Sequence, residues 1–228
     1  MNGVKSVAVL DSSFNPPTRA HLYLLSCTAQ KLELEHTMLL LAKQNADKPI
    51  VGASLVQRVE MMQAIAATAV PTGSMMCGVT AHPLFVDKAE ALQRLCGTGT
   101  RIAMLVGFDT WIRIIDPKYY PAGGLEPALR KIFDSVEVMV ASRDPGSASN
   151  LGGEMSVAEQ EQVIKDLPEA ITHGRLHFLL NEPQMAELSS SALRKAVALG
   201  DAGTARGMLP ECLHDYVEHE GLYLHDAN

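Results

Sequence analysis

The sequence predicts an α/β chain built as a doubly wound parallel sheet, with helices on both faces and a helical segment at the C-terminus. Three observations predict it. Short apolar runs rich in Val, Ile, Leu and Met recur along the chain and read as buried strands. Stretches with helical periodicity alternate with them, which is the order that produces a parallel sheet. The chain has 228 residues, 47% of them apolar and 20% charged. That is enough to bury one core and corresponds to one domain, spanning 1–228, with a core over 1–185 and a closing segment over 186–228.

The elements follow in order. Val4 to Leu10 is a buried strand that stops at the turn cluster Asp11-Ser12-Ser13-Phe14-Asn15-Pro16-Pro17. From Thr18 to Glu33 the stripe Leu22, Leu25, Ala29, Leu32 predicts a helix. Thr37 to Leu41 is the second strand, followed by a polar loop from Lys43 to Ala53. Leu55 to Ala67 is helical, with Leu55, Val59, Met62 and Ala66 on one face. Ser74 to Thr80 is a strand, Asp87 to Leu95 a helix and Ile102 to Val106 a strand ending at Gly107. Thr110 to Ile115 is a short helix halted by Pro117, and the Pro- and Gly-rich stretch Tyr119 to Pro127 reads as flexible. Val136 to Ala141 is the fifth strand, and Ser142 to Gly153 is a polar loop. Ser156 and Glu159 match a capping box opening a helix to Leu167. Leu176 to Leu180 is the last strand, and helices over about Ser190–Leu199 and Pro210–Glu220 close the chain.

Composition narrows the function. Nineteen Lys and Arg stand against 26 Asp and Glu, a net charge of −7. Such a chain has no bulk attraction for nucleic acid or an anionic membrane, so any phosphate it binds needs a local, shaped site. Cys27, Cys77, Cys96 and Cys212 form no C-x-x-C, which argues against a zinc site and a disulfide framework. No apolar run reaches 18 residues, and the first ten residues are too short for a signal segment. The expectation is a protein of a reducing compartment, cytoplasmic or nuclear, with no resident metal.

Ligands of an open parallel sheet bind beyond the carboxyl ends of its strands. The residues there are Ser12, Ser13, Asn15, Thr18 and His21 after the first strand, and Gly107 and Asp109 after the fourth. Ser142 and Arg143 follow the fifth, and Asn181, Ser189, Ser190, Ser191 and Arg194 follow the last. Hydroxyls, an imidazole, a guanidinium and helix N-termini are the donors a polyphosphate needs. Thr18 and His21 are three apart and share a face of the first helical turn. By spacing alone they read equally as a capping Thr with an exposed His. The Ser189–Ser191 run with Arg194 likewise reads, in isolation, as a plain N-cap with a surface Arg.

Taken together, the two phrases resemble a known pair. Ser13-Phe14-Asn15-Pro16-Pro17-Thr18-Arg19-Ala20-His21 is similar to S-F-N-P-x-T-x-x-H, and Leu188-Ser189-Ser190-Ser191-Ala192-Leu193-Arg194 to I-S-S-T-x-x-R. In this order they resemble the nicotinamide/nicotinate mononucleotide adenylyltransferases of the (H/T)-x-x-H nucleotidyltransferase superfamily, in the Thr variant typical of eukaryotic members. Val106-Gly107-Phe108-Asp109 is similar to the G-x-D of that family, and Val140 to Gly146 to its V-x-x-R-x-G. Gln57-Arg58-Val59-Glu60-Met61 resembles H-R-x-x-M with Gln in place of His.

The resemblance implies a Rossmann-like sheet and direct transfer of AMP from ATP, with Mg²⁺, to nicotinamide or nicotinate mononucleotide, giving NAD or its deamido form and pyrophosphate. His21, Thr18 and Arg194 would be the catalytic residues. Ser13, Phe14, Gly107, Asp109, Arg143, Ser190 and Ser191 would bind ATP and the dinucleotide, and Lys48 the mononucleotide phosphate. Ser12 stands where the family usually has Gly, and the family's ring-stacking Trp has no counterpart. Trp111, the one tryptophan, reads as core, which leaves Phe85, Tyr119 or Tyr120 to meet the pyridine ring. Two other readings stay open: the same reaction on another acceptor, and an ATP-binding or slowly ATP-hydrolysing regulatory protein.

Overall fold

A computed structural model describes residues 3–43, 52–143 and 155–224. The elements run β1 (Ser6–Ser12), α1 (Arg19–Lys31), β2 (His36–Ala42), α2 (Leu55–Ala67), β3 (Met75–Thr80), α3 (Phe85–Cys96) and β4 (Arg101–Gly107). They continue with α4 (Phe108–Ile114), α5 (Leu125–Ser135), β5 (Glu137–Ala141), α6 (Val157–Lys165), α7 (Glu169–Thr172) and β6 (Leu176–Leu179). The chain then forms α8 (Pro183–Ala186), α9 (Ser190–Ala198), α10 (Ala202–Met208) and α11 (His214–His219).

The six strands make one parallel sheet in the order β3-β2-β1-β4-β5-β6. All parallel strands need crossovers, and the helices supply them on both faces. β1 shows the two-sided burial directly. Ala8 and Leu10 face a cluster with Leu25, Leu39, Met61, Met62, Leu193 and Leu213, drawn from α1, β2, α2, α9 and the chain end. Val7 and Val9 face the opposite cluster, with Leu92, Trp111, Ile132, Phe133 and Ile164 from α3 to α6. Alternation of side chains along a strand produces this division, so a one-residue slip would exchange the two cores. Register is set at Val9 opposite Met38 on one side and Met104 on the other. Strand order reverses between β1 and β4, and the crevice outside their carboxyl ends is where such a sheet takes a ligand.

The sequence-predicted order of strands and helices holds, apart from the four-residue helices α7 and α8, which it did not include, and two longer differences. α5 begins inside the stretch read as flexible. Pro127 is its third residue, and a proline in the first turn removes an N–H that has no helical partner there anyway. The amphipathic run Ala128, Leu129, Ile132, Phe133 then buries against the sheet. α10 is the second difference. Its sequence AGTARGM carries two glycines and predicts little helix, but Asp201 caps it by accepting from Thr204 N–H at 3.0 Å. The capping box at Ser156 forms as expected, with Glu159 accepting the Ser156 amide at 2.7 Å. No helix among the described residues is long and apolar enough to cross a membrane.

Candidate active site

β1 ends at Ser12, and the chain turns through residues 13–17 before Thr18 opens α1 as its N-cap. Phe14 makes the turn in the left-handed region, at φ 44°, with its ring fully buried. A non-glycine residue there is strained and persists only where the surroundings fix it. The aromatic ring serves as the anchor, lying against the His21 imidazole at 5.4 Å between centroids.

His21 is the third residue of α1, the position where a capping box normally carries Glu or Gln. Its Nδ1 accepts the Thr18 N–H at 3.0 Å, and Thr18 Oγ1 lies 2.8 Å from the same nitrogen. The amide bond assigns the tautomer: Nδ1 is the acceptor, so Nε2 carries the proton. Nε2 meets Ser12 Oγ at 3.1 Å. Burial pushes the imidazole pKa down to about 4. At neutral pH the site therefore presents a neutral N–H donor at the mouth of a helix N-terminus.

The distant serine motif reaches the same loop. Ser189 caps α9 by accepting from Ala192 N–H at 3.1 Å. Ser190 Oγ donates to Pro16 O at 2.8 Å, and Arg194 Nη1 donates to Asn15 O at 2.8 Å. Leu193, between them, is fully buried in the core under the loop. Ser189 is thus the cap of the isolated reading, while Ser190 and Arg194 are tied to the β1–α1 loop.

A second group forms at the tips of β4 and β5. Asp109 and Arg143 are joined as an ion pair. Gln160 of α6, almost wholly buried, accepts from Arg143 N–H at 2.9 Å and donates to Arg143 O at 2.9 Å. Ser142 Oγ accepts from Asn181 N–H at 2.8 Å, tying the last strand's exit to this group. Gly107 has an ordinary φ of −75°, so the backbone does not require glycine there. A Cβ at Gly107 would meet no atom within 4 Å, so what glycine provides is open space above the strand tip.

The remaining sequence-predicted residues fare differently. Lys48 lies outside the described residues, as does 144–146 of the V-x-x-R-x-G phrase. Phe85 is buried in the core at the start of α3. The Tyr120 hydroxyl donates to Ile114 O at 2.7 Å, and Tyr119 lies under Lys118 Nζ at 4.8 Å. Trp111 is core, as expected, edge-on to Phe133.

Sequence reasoning missed Lys88, Gln160 and the role of Arg58. Lys88 Nζ donates to Asp11 Oδ2 at 2.5 Å, and both side chains are 8% exposed. A lysine among apolar residues on the inner face of α3 was the available signal. Gln57 stands where the similar motif has His, and the fold supplies a local reason: it completes a capping box with Ser54, at 3.0 and 3.3 Å.

Comparison with known proteins agrees with this geometry. A model of the cytidylyltransferase-like family matches residues 9–196. A putative nicotinamide mononucleotide adenylyltransferase of Schizosaccharomyces pombe is 29% identical over 222 residues, covering 97% of this chain and 87% of that protein. A probable nicotinate-nucleotide adenylyltransferase of Gloeobacter violaceus is 28% identical, covering 95% of each chain. Among solved structures, the Plasmodium falciparum nicotinic acid mononucleotide adenylyltransferase complexed with NaAD superposes with a TM-score of 0.70 at 15% identity, covering 98% of both chains. The family match runs from β1 through the loop, His21 and the strand tips to Arg194 in α9, and the chain belongs to the cytidylyltransferase-like family.

Proposed function

We propose that the protein transfers AMP from ATP to nicotinamide or nicotinate mononucleotide. One observation carries the reading. The Thr18–His21 helix mouth and the Ser190–Arg194 helix mouth, distant in sequence, meet on one loop at the ligand end of the sheet. The names of the relatives point to the same reaction.

The chemistry follows from the donors. A 5′-phosphate oxygen of the mononucleotide attacks the α-phosphorus of ATP, a new P–O–P bond forms, and the bond from the α-phosphorus to its bridging oxygen breaks, releasing pyrophosphate. Little covalent work falls to the protein, so catalysis is positioning and charge stabilisation. His21 Nε2–H, held in place by the Thr18 amide on the far side of the ring, donates to an α-phosphate oxygen as charge builds. Thr18 Oγ1 lies at the same helix mouth. Arg194 and the amides of Ser190 and Ser191, at the start of α9, receive the departing phosphates. Ser13 and Phe14 line the phosphate path. Asp109 takes the ribose in the space above Gly107, beside Arg143.

Mg²⁺ is expected as part of the ATP substrate. No group of three His, Cys, Asp or Glu side chains among the described residues is arranged to hold a metal. Asp11 and Asp109 are each paired with a cation. For the mononucleotide, Lys48 remains the proposed phosphate contact. Phe85 and Tyr120 are the proposed ring contacts, reached only if a Phe85 face is uncovered or Tyr120 leaves Ile114.

An acceptor panel tests the proposal. Purified protein with ATP and Mg²⁺ is offered nicotinamide mononucleotide, nicotinate mononucleotide, a phosphopantetheine or no acceptor, and dinucleotide and pyrophosphate are quantified. Dinucleotide from either pyridine mononucleotide supports the reading. Phosphate or pyrophosphate released without an acceptor, and no dinucleotide, overturns it in favour of an ATP hydrolase.

A further inference from the structure

Arg58 lies in the first turn of α2 and is 9% exposed, yet no step of the reaction above uses it. Its guanidinium reaches two separate segments. Nε donates to Ala53 O at 2.8 Å, and Nη1 donates to Ser13 O at 3.4 Å. Ala53 in turn donates its N–H to Asn15 Oδ1 at 3.1 Å, and Asn15 O is the acceptor of Arg194. Arg58 and Arg194 are thus linked through Ala53 and Asn15. Burial, together with the nearby Arg194 charge, works against the charge on Arg58, while Tyr223 supports it.

The consequence concerns one peptide. The Ser13–Phe14 unit is trans and planar, so its carbonyl and the Phe14 N–H point to opposite sides. With the carbonyl held by the buried Arg58, the Phe14 N–H points to the side opposite Arg58. Of the three peptides that follow, only Phe14–Asn15 carries an N–H; those before Pro16 and Pro17 have none to offer. The turn between Ser13 and Pro17 therefore has the Phe14 and Asn15 amides as its donors, and Phe14 is the one whose peptide carbonyl Arg58 holds.

We infer that Arg58 is a positioning residue: by fixing the Ser13 carbonyl and the Ala53–Asn15 link, it aims the Phe14 N–H and Arg194 at the substrate phosphates. The inference rests on the adenylyl-transfer reading for its kinetic consequence, but the amide orientation itself can be observed without turnover. Lysine keeps the charge at this position and loses the fork that spans two carbonyls.

Two measurements test it. In the first, protein labelled with ¹⁵N-phenylalanine gives five amide signals, one for each Phe. The Phe14 signal, assigned with a Phe14→Leu variant, shifts on addition of ATP in the wild-type protein and does not shift in Arg58→Lys at saturating ATP. In the second, Arg58→Lys, assayed well below its Tm and normalised to ATP-binding sites, lowers kcat at least tenfold with KM for the mononucleotide little changed. Combined with Arg194→Lys it adds less than a multiplicative loss, because the two act through one loop. A Phe14 signal that ignores ATP in the wild type, or that shifts equally in both proteins, overturns the inference whatever the enzyme turns over. A normalised kcat within twofold of wild type, or fully multiplicative losses, also overturns it. Absence of dinucleotide in the wild type contradicts the adenylyl-transfer reading alone, and the labelled-amide result then decides this one.

Discussion

The His21 imidazole is held neutral by its surroundings, and that has a consequence for stability. In the unfolded chain a histidine takes a proton near pH 6.5, whereas in the fold it does so only at about 4. Above pH 6.5 both states are neutral and the residue is silent. As pH falls from 6.5 to 4 the unfolded state gains the proton first, so stability falls, by roughly 3 kcal/mol in all. Urea unfolding of wild type and His21→Gln across this range measures it: the variant's decline with acid is shallower by about that amount. Equal declines would show that the ring titrates freely in the fold. Gly107 offers a second test at this scale. Gly107→Val adds atoms to open space, so Tm is expected to change little while ATP affinity falls tenfold or more by calorimetry. Unchanged affinity would remove the nucleotide from that strand tip. Both residues stand out in the sequence as candidates, by their place after a strand and by the motifs around them. What was not legible is the tautomer, which depends on the Thr18 amide pointing back at Nδ1.

At the scale of elements, the legible part was whatever repeats with a period. The apolar strands and the α1 and α2 stripes have strong local patterns, and the structure places them where the sequence does. α5 was obscured because Pro and Gly signals at its start outweighed the short apolar stripe behind them. α10 was obscured because it depends on an aspartate cap rather than on propensity. The Asp11–Lys88 pair was obscured for another reason: it joins a strand tip to a helix 77 residues away. Both groups are buried, so removing one partner strands the other's charge. Lys88→Met is expected to destabilise the protein by about 3–5 kcal/mol, while Asp11→Leu with Lys88→Met recovers most of it. Denaturant titration of the two variants checks this. A single-variant loss under about 1 kcal/mol would mean that water reaches the remaining charge.

On the scale of the whole molecule, the sheet and the C-terminal helices share one hydrophobic core. Leu193, Leu213 and Val217 share a core with Leu39, Met61 and Phe14, and Arg194 and Ser190 hold the β1–α1 loop. We therefore propose that the chain unfolds as one domain. Trp111, the only tryptophan, sits in the opposite core. Its fluorescence and the far-ultraviolet helix signal are expected to give coincident denaturation curves. Separate transitions would mark 186–228 as an independent unit.

The same joining of distant segments is what assembles the candidate site, where we propose that His21 and Arg194 act on the phosphates of one reaction. The most direct measurement is the rate of dinucleotide formation from ATP and nicotinamide mononucleotide with Mg²⁺, for wild type and folded His21→Ala. Dinucleotide and pyrophosphate are expected in equal amounts, with kcat lowered roughly 10²–10³-fold in the variant, the usual loss when one preorganised donor is removed. A His21→Ala rate within a few-fold of wild type would contradict it.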